Sequence, residues 1–123
     1  MSRTPNRTVA KIDEAIAIAT KNGRRQENDG VRLLRKLRGL IETGARISMK
    51  VDGHVCPIRL DDITVRKTVL EVDLQKYDLG VASFTPGQVS AEYRESGDDY
   101  DFIGYGVPAN DDRDCIIDFD RAA

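Results

Sequence analysis

The chain has 123 residues, of which 40% are hydrophobic and 33% are charged. This composition predicts one globular domain and excludes disordered and collagen-like classes. No apolar run approaches the roughly 18 residues of a membrane span, and the first residues lack the apolar region of a signal peptide. Two cysteines and one histidine cannot build a disulfide framework or a four-ligand zinc site. We therefore expect a cytoplasmic protein with no membrane contact, no metal and no cofactor.

Charge is divided unequally along the chain. Residues 1–50 carry 12 Lys/Arg against 5 Asp/Glu, whereas residues 51–123 carry 7 Lys/Arg against 16 Asp/Glu. We predict a single domain over 1–123, with a basic helical hairpin at 1–44 and an acidic antiparallel β region at 45–123. The asymmetry favours two surfaces with different partners, or a homo-oligomer that docks head to tail. The alternative is that the basic helices neutralise the acidic half within one fold.

Two helices are predicted in the basic part. Thr4-Pro5 is a start signal, since Thr is a good N-cap and Pro suits the first helical position, and apolar residues follow at helical spacing up to Ala19. A second start signal stands at Asn28-Asp29, followed by a leucine-rich stripe that Gly44 ends. Gly39 inside this helix costs roughly 1 kcal/mol relative to Ala, which suggests a close helix–helix approach there.

The next segment is predicted to be a β-hairpin. Asp52-Gly53 lies between two alternating runs, and this dipeptide is a strong signal for a two-residue turn. A two-residue loop sets the register and places six residues on one face, which we assign to the core: Val51 opposite His54, Met49 opposite Cys56, and Ile47 opposite Ile58. Pro57 lacks an amide hydrogen, so its strand should be an edge or direct that amide outward.

Short strands are predicted through the rest of the chain, at 63–66, 69–74, 81–84, 89–94, 100–105 and 115–119. Thr85-Pro86-Gly87-Gln88 has Pro and Gly at the positions that a type II turn needs. The fold class is therefore α+β, with an N-terminal antiparallel helical hairpin followed by an antiparallel sheet of five to seven short strands.

No catalytic set is apparent. His54 and Cys56 point the same way on one strand, but a Cys–His nucleophile also needs a third group to orient the imidazole. We therefore predict a buried cysteine beside a histidine at the hairpin end, and no enzyme activity. An acidic patch is formed by Asp98, Asp99, Asp101, Asp111, Asp112 and Asp114. These residues suit solvated loops, since the calcium-loop motif fails; a surface that imitates nucleic acid and binds a partner protein is the alternative.

Basic residues cluster in two places. In the predicted register Arg46 lies opposite Arg59, with Lys50 nearby, and like charges directly opposite are unfavourable unless an anion lies between them. Glu71 and Asp73 are candidate internal partners, and an anionic ligand is the alternative. Arg25, Arg32 and Lys36 share a helix face opposite the leucine stripe, which would hold phosphates in a salt-dependent way.

These features favour a non-enzymatic binding or inhibitor-type accessory protein. Brevity, charge polarity and the missing catalytic set are typical of such proteins in phages and mobile elements. It would act by occupying a protein partner or a ligand, as a homo-oligomer. One alternative is sequestration of an anionic small molecule, such as a nucleotide signal, through the six Arg and Lys residues. The other is weak nucleic-acid binding by the second helix.

Overall fold

The helical hairpin is confirmed. A computed structural model describes residues 4–21, 25–93, 100–105 and 114–122 of the chain. Helices α1 (Thr4–Lys21) and α2 (Arg25–Glu42) pack against each other. Both bury residues at the helical spacing of three and four that the sequence predicted: Ile12, Ala15 and Ala19 in α1, and Val31, Leu33, Leu34, Leu37 and Ile41 in α2.

Helix α2 ends where the sequence predicted but begins earlier. At its end Gly44 adopts φ 70°, and the amides of Gly44 and Ala45 donate to the carbonyls of Ile41 and Leu40, which is a Schellman cap. The predicted start at Asn28-Asp29 is wrong because α2 already runs from Arg25.

Eight antiparallel strands follow in the described residues, which confirms the α+β class. They form a five-stranded sheet in the order β2-β1-β8-β7-β6 and a three-stranded sheet in the order β3-β4-β5. Their bounds are β1 Ile47–Val51, β2 His54–Ile58, β3 Ile63–Arg66, β4 Val69–Asp73, β5 Val81–Phe84, β6 Val89–Tyr93, β7 Tyr100–Tyr105 and β8 Asp114–Arg121.

The register of the β1–β2 hairpin is confirmed at every predicted pair. Asp52 and Gly53 take φ 49° and 86°, as both central residues of a type I′ turn must. One assignment to the core face is wrong, because His54 is exposed whereas the other five predicted residues are buried. His54 is the first residue after the turn, at the end of β2.

The predicted type II turn before β6 is also wrong. Residues Pro86–Gln88 form a 3₁₀ turn, and Gly87 has no positive φ, which a type II turn would require at that position. This 3₁₀ turn packs tightly on α2: a Cβ atom built on Gly30 would lie 2.2 Å from the carbonyl oxygen of Pro86. A Cβ built on Gly39 would contact nothing within 4 Å. The close approach is therefore at Gly30, and the prediction for Gly39 was wrong.

Both outer strands of the larger sheet have specific partners along their edges. β2 is an edge strand, as Pro57 predicted. Since Val51 and His54 close the hairpin, the alternation of antiparallel hydrogen bonding directs the backbone groups of Val55 and Pro57 away from β1. The carbonyl of Pro57 accepts a hydrogen bond from the Tyr77 hydroxyl. On the opposite edge, the amide of Ala91 in β6 donates to Asp29 Oδ2 of α2 at 3.1 Å.

Helices and sheets contribute to a common core. Helix α1 contacts β3, and α2 contacts β6 and β8. One cluster of buried side chains joins Ile12 and Leu37 from the helices to Phe119 of the larger sheet and Val72 of the smaller. In the described parts of the chain, neither helix is long and apolar enough to cross a membrane.

Candidate functional site

The hairpin register brings Arg46 and Arg59 to the two sides of one cleft. Ile47 pairs with Ile58, so Arg46, just before β1, and Arg59, just after β2, face each other at the open end of the hairpin. Both residues are exposed. They line a cleft of about 710 Å³, which is within the size range of small-ligand sites.

The rest of the cleft is mainly apolar, with one carboxylate. Besides the two arginines and Asp61, its lining consists of Ala45, Ile47, Pro57, Ile58, Leu60 and Ala122. Local hydrogen bonds position the backbone on both sides. The amide of Arg59 donates to Asp62 Oδ2 at 2.8 Å, and the amide of Ala122 donates to the carbonyl of Arg46 at 2.8 Å.

Neither guanidinium in the cleft is neutralised by the described part of the protein. The ion pairs among the described residues involve other basic side chains. Asp61 also lines the cleft but lies more than 4.0 Å from both guanidinium groups, since no ion pair joins them. With two positive and one negative side chain, the lining has a formal charge of +1. An anion could therefore approach both arginines without displacing an internal partner.

Lys36 and Lys50 belong to a separate cluster with two aspartates of β8. Lys36 Nζ lies 3.0 Å from Asp118 Oδ2 and 3.2 Å from Asp120 Oδ1. Lys50 Nζ lies 3.0 Å from Asp120 Oδ2. The cluster holds two charges of each sign, so its groups neutralise one another.

Burial and charge act together on the pKa values of this cluster. Burial lowers the pKa of Lys36, but the hydrogen bond and charge of Asp118 outweigh it and leave that pKa raised. Burial raises the pKa of Asp118, and the nearby charge of Asp120 adds to this, so the pKa stays above its ordinary value despite Lys36. Burial also opposes ionisation of Asp120, yet hydrogen bonds from Lys50 and Lys36 lower its pKa overall. On balance, the surroundings therefore favour the ionised form of Asp120 and disfavour that of Asp118.

Two expectations about internal partners are corrected. Glu71 lies in the three-stranded sheet, where its nearest cation is Arg66 at 3.7 Å, and Asp73 ends the same strand. Neither neutralises Arg46 or Arg59.

Lys50 is paired with β8 because β1 lies between β2 and β8 in the sheet. β8 pairs with β1 although the two strands are far apart in the sequence. Local sequence patterns do not predict such a pairing.

The basic face of α2 is also smaller than predicted. Lys36 is half-buried and binds β8, because it lies only about 60° from buried Leu33 on the helix and its long side chain reaches over the edge of the buried face. Arg38 binds Asp13 of α1 and Glu42. Arg32 is exposed. The side chain of Arg25 lies outside the described residues.

Two of the six residues of the predicted acidic patch, Asp101 and Asp114, lie within the described part of the chain. Asp98, Asp99, Asp111 and Asp112 lie outside the described residues. Asp114 is exposed at the start of β8. Asp101 is half-buried and lines a second cleft of about 390 Å³, beside the lysine–aspartate cluster. Over the described ranges, no group of three His, Cys, Asp or Glu side chains could hold a metal ion.

The two cysteines are buried free thiols. Cys56 is 2% exposed and Cys115 is 3% exposed. Burial raises the pKa of Cys56, which disfavours the reactive thiolate. The thiol of Cys56 lies 3.8 Å from the backbone carbonyl of His54, while the His54 side chain is exposed at the end of the strand.

Sequence reasoning missed the apolar part of the cleft. The register identified the two arginines, but Leu60 and Asp61 come from a 3₁₀ turn that no pattern predicted. Ala122 reaches the cleft because β8 pairs with β1 up to Ile47 and Arg121. An alanine that directly follows an alternating strand carries no signal of its own.

No protein-family model matches this chain, and neither does a curated protein or a solved structure.

Proposed function

We propose that the protein is a non-catalytic, cytoplasmic binding protein that holds an anionic group of its partner or ligand in the Arg46–Arg59 cleft. The observation that carries the proposal is the pair of guanidinium groups lining one cleft without a carboxylate partner in the described structure. Two like charges on facing positions repel each other, and an anion between them removes that repulsion.

Arginine is well suited to this role. Its planar guanidinium donates several hydrogen bonds in a fixed geometry that matches carboxylate and phosphate groups. Such charge-assisted bonds are roughly twice as strong as neutral ones.

The cysteine and histidine environment supports binding over catalysis. The thiol of Cys56 is buried and its pKa is raised, whereas a nucleophilic cysteine needs a lowered pKa and access to substrate. Two free thiols also suit a reducing compartment, which supports the cytoplasmic assignment.

The first experiment is native mass spectrometry of the protein as purified from cells, followed by thermal denaturation with candidate anions. A bound ligand should add mass to the wild-type protein. At ten times its Kd, an anion contributes about 1.4 kcal/mol and raises Tm by roughly 5 °C. Arg59→Gln should lose both effects. Arg35→Gln removes an exposed arginine of α2 outside the cleft and should retain them.

Two results would contradict the proposal. One is an anion effect of equal size in wild type, Arg59→Gln and Arg35→Gln, which would indicate general charge screening. The other is the absence of any anion effect across carboxylates, phosphate and nucleotides. Mass spectrometry also reports the subunit number, so it tests the homo-oligomer, which stays a prediction.

Nucleic-acid binding by α2 receives less support. Lys36 and Arg38 are both paired with aspartates of the protein, and those pairs would have to break before phosphates could bind there. A duplex-binding assay over a range of salt concentrations tests this alternative, because phosphate contacts give a steep salt dependence.

A further inference from the structure

We propose that the ligand of the Arg46–Arg59 cleft is the C-terminal residue of a peptide, with a free carboxylate and an aliphatic side chain. This inference rests on the proposed function and specifies the chemical class of its ligand. Three properties of the cleft support this ligand: its charge, its apolar lining and the presence of Asp61.

The charge of the lining is matched by a monoanion. Arg46, Arg59 and Asp61 together give a formal charge of +1. A carboxylate brings this sum to zero, whereas a phosphate dianion brings it to −1 and leaves an excess negative charge in the cleft. A single carboxylate also matches the fork of a guanidinium in a bidentate arrangement.

The apolar lining indicates that the anion is attached to a hydrophobic group. Pro57 is exposed and Leu60 is half-buried in the cleft, whereas Ile47 and Ile58 are almost fully buried in the core behind them. A cleft that held only a free inorganic ion would leave Pro57 and Leu60 in contact with water. An aliphatic side chain placed against them contributes about 25 cal/mol for each Å² of apolar surface removed from water.

Asp61 indicates a third feature of the ligand, which is a hydrogen-bond donor. Its carboxylate lines the same cleft and accepts hydrogen bonds without donating any when it is ionised. The last residue of a peptide presents a carboxylate, a side chain and an amide N–H on one Cα atom. It can therefore satisfy Arg46 or Arg59, the apolar lining and Asp61 at once, which a simple fatty acid cannot.

The test uses small probes that differ by one group each, observed by ¹H–¹⁵N NMR titration of the folded chain. N-acetyl-leucine carries all three features. Its amide, N-acetyl-leucinamide, lacks the charge, and 4-methylpentanoate lacks the N–H. Inorganic phosphate and a nucleoside monophosphate test the phosphate class. An acetylated tripeptide ending in leucine tests whether a preceding residue adds affinity.

We expect N-acetyl-leucine to shift the resonances of Arg46, Ile58 and Arg59, with the amide roughly tenfold weaker or more, since a charge-assisted interaction is lost. The tripeptide should bind at least as well as the single residue. Asp61→Asn should reduce the preference for N-acetyl-leucine over 4-methylpentanoate and improve the binding of phosphate. Arg59→Gln should abolish binding, and Arg35→Gln should not.

The outcomes separate this inference from the proposed function. If 4-methylpentanoate binds as well as N-acetyl-leucine, or if the phosphates bind more tightly, the cleft is an anion site but the peptide assignment is wrong. If the leucine amide binds as well as the acid, the arginines do not recognise a charge and both proposals fail. Both also fail if none of the probes binds at millimolar concentration.

Discussion

Gly30→Ala should destabilise the protein, although alanine is normally the better helix former. In α2 a Cβ on Gly30 would lie 2.2, 2.3 and 2.6 Å from the carbonyl oxygen, Cα and carbonyl carbon of Pro86. Since ordinary contacts begin at 3.4 Å, the backbones must separate by about 1.2 Å. These atoms belong to a backbone and cannot rotate away as a side chain can.

The expected cost follows from two opposing terms. Alanine in a helix interior gains up to about 1 kcal/mol over glycine, whereas overpacking of this kind costs about 1–3 kcal/mol and sometimes more. The overlap involves three backbone atoms, so we expect the upper end of that range and a net loss of about 2 kcal/mol. With a urea m value of about 1.5 kcal/mol/M, the midpoint of unfolding falls by roughly 1.3 M.

Gly39→Ala is the matched control in the same helix. Its Cβ would meet no atom within 4 Å, so only the helix term remains and stability should rise by about 0.5–1 kcal/mol. Urea denaturation followed by circular dichroism measures both variants. A Gly30→Ala variant as stable as wild type, or more stable, would show that α2 and the Pro86 turn are not in close contact.

Three further predictions concern other contacts. Asp120→Asn should lower stability at pH 7 by about 1 kcal/mol, and Asp118→Asn by less. Because the pKa of Asp120 is lowered in the folded protein, its contribution is present above about pH 4 and is lost as pH falls through the folded pKa. Asp29→Ala should cost about 1–2 kcal/mol, since the amide of Ala91 loses its acceptor. Cys56 should react with a thiol reagent only after unfolding, since it is 2% exposed.

Each of these predictions has a contradicting result. Equal losses of stability in Asp120→Asn and Asp118→Asn would contradict the difference inferred from the two pKa shifts. A difference in stability that persists at pH 2 would contradict it as well. Asp29→Asn retains an acceptor oxygen and should recover most of the stability lost in Asp29→Ala; an equal loss in both variants would point to another cause. Rapid labelling of Cys56 in native buffer would show that β2 opens easily.

Local signals predicted the local part of this fold. Asp52-Gly53 specified a turn and, through the two-residue period of a strand, the pairing of Ile47 with Ile58. That pairing already placed Arg46 and Arg59 opposite each other. The signals failed where an element depends on distant neighbours. Asp29 was interpreted as a helix start because its type favours that position, yet it binds the edge of β6.

The division into two sheets was beyond these signals. Alternation shows that a strand has a buried face but does not show which strand lies beside it. The insertion of β8 between β1 and β7 decided that Lys50 and Lys36 bind Asp118 and Asp120. Lys36 and Lys50 therefore have carboxylate partners, whereas Arg46 and Arg59 have none within 4.0 Å among the described residues. The sequence could not make this distinction, because a local pattern shows that a side chain faces away from the core but not which residue lies beside it.

The protected edges of the larger sheet have a consequence for behaviour at high concentration. Open strands are templates on which further chains polymerise into amyloid-like aggregates. On β2, Pro57 supplies no donor and its carbonyl is engaged by Tyr77, while α2 and its Asp29 occupy the edge of β6. Fibril growth by strand addition is thus disfavoured at both ends of this sheet. A variant with Pro57→Val and Tyr77→Phe should form thioflavin-positive fibres sooner than wild type at equal stability.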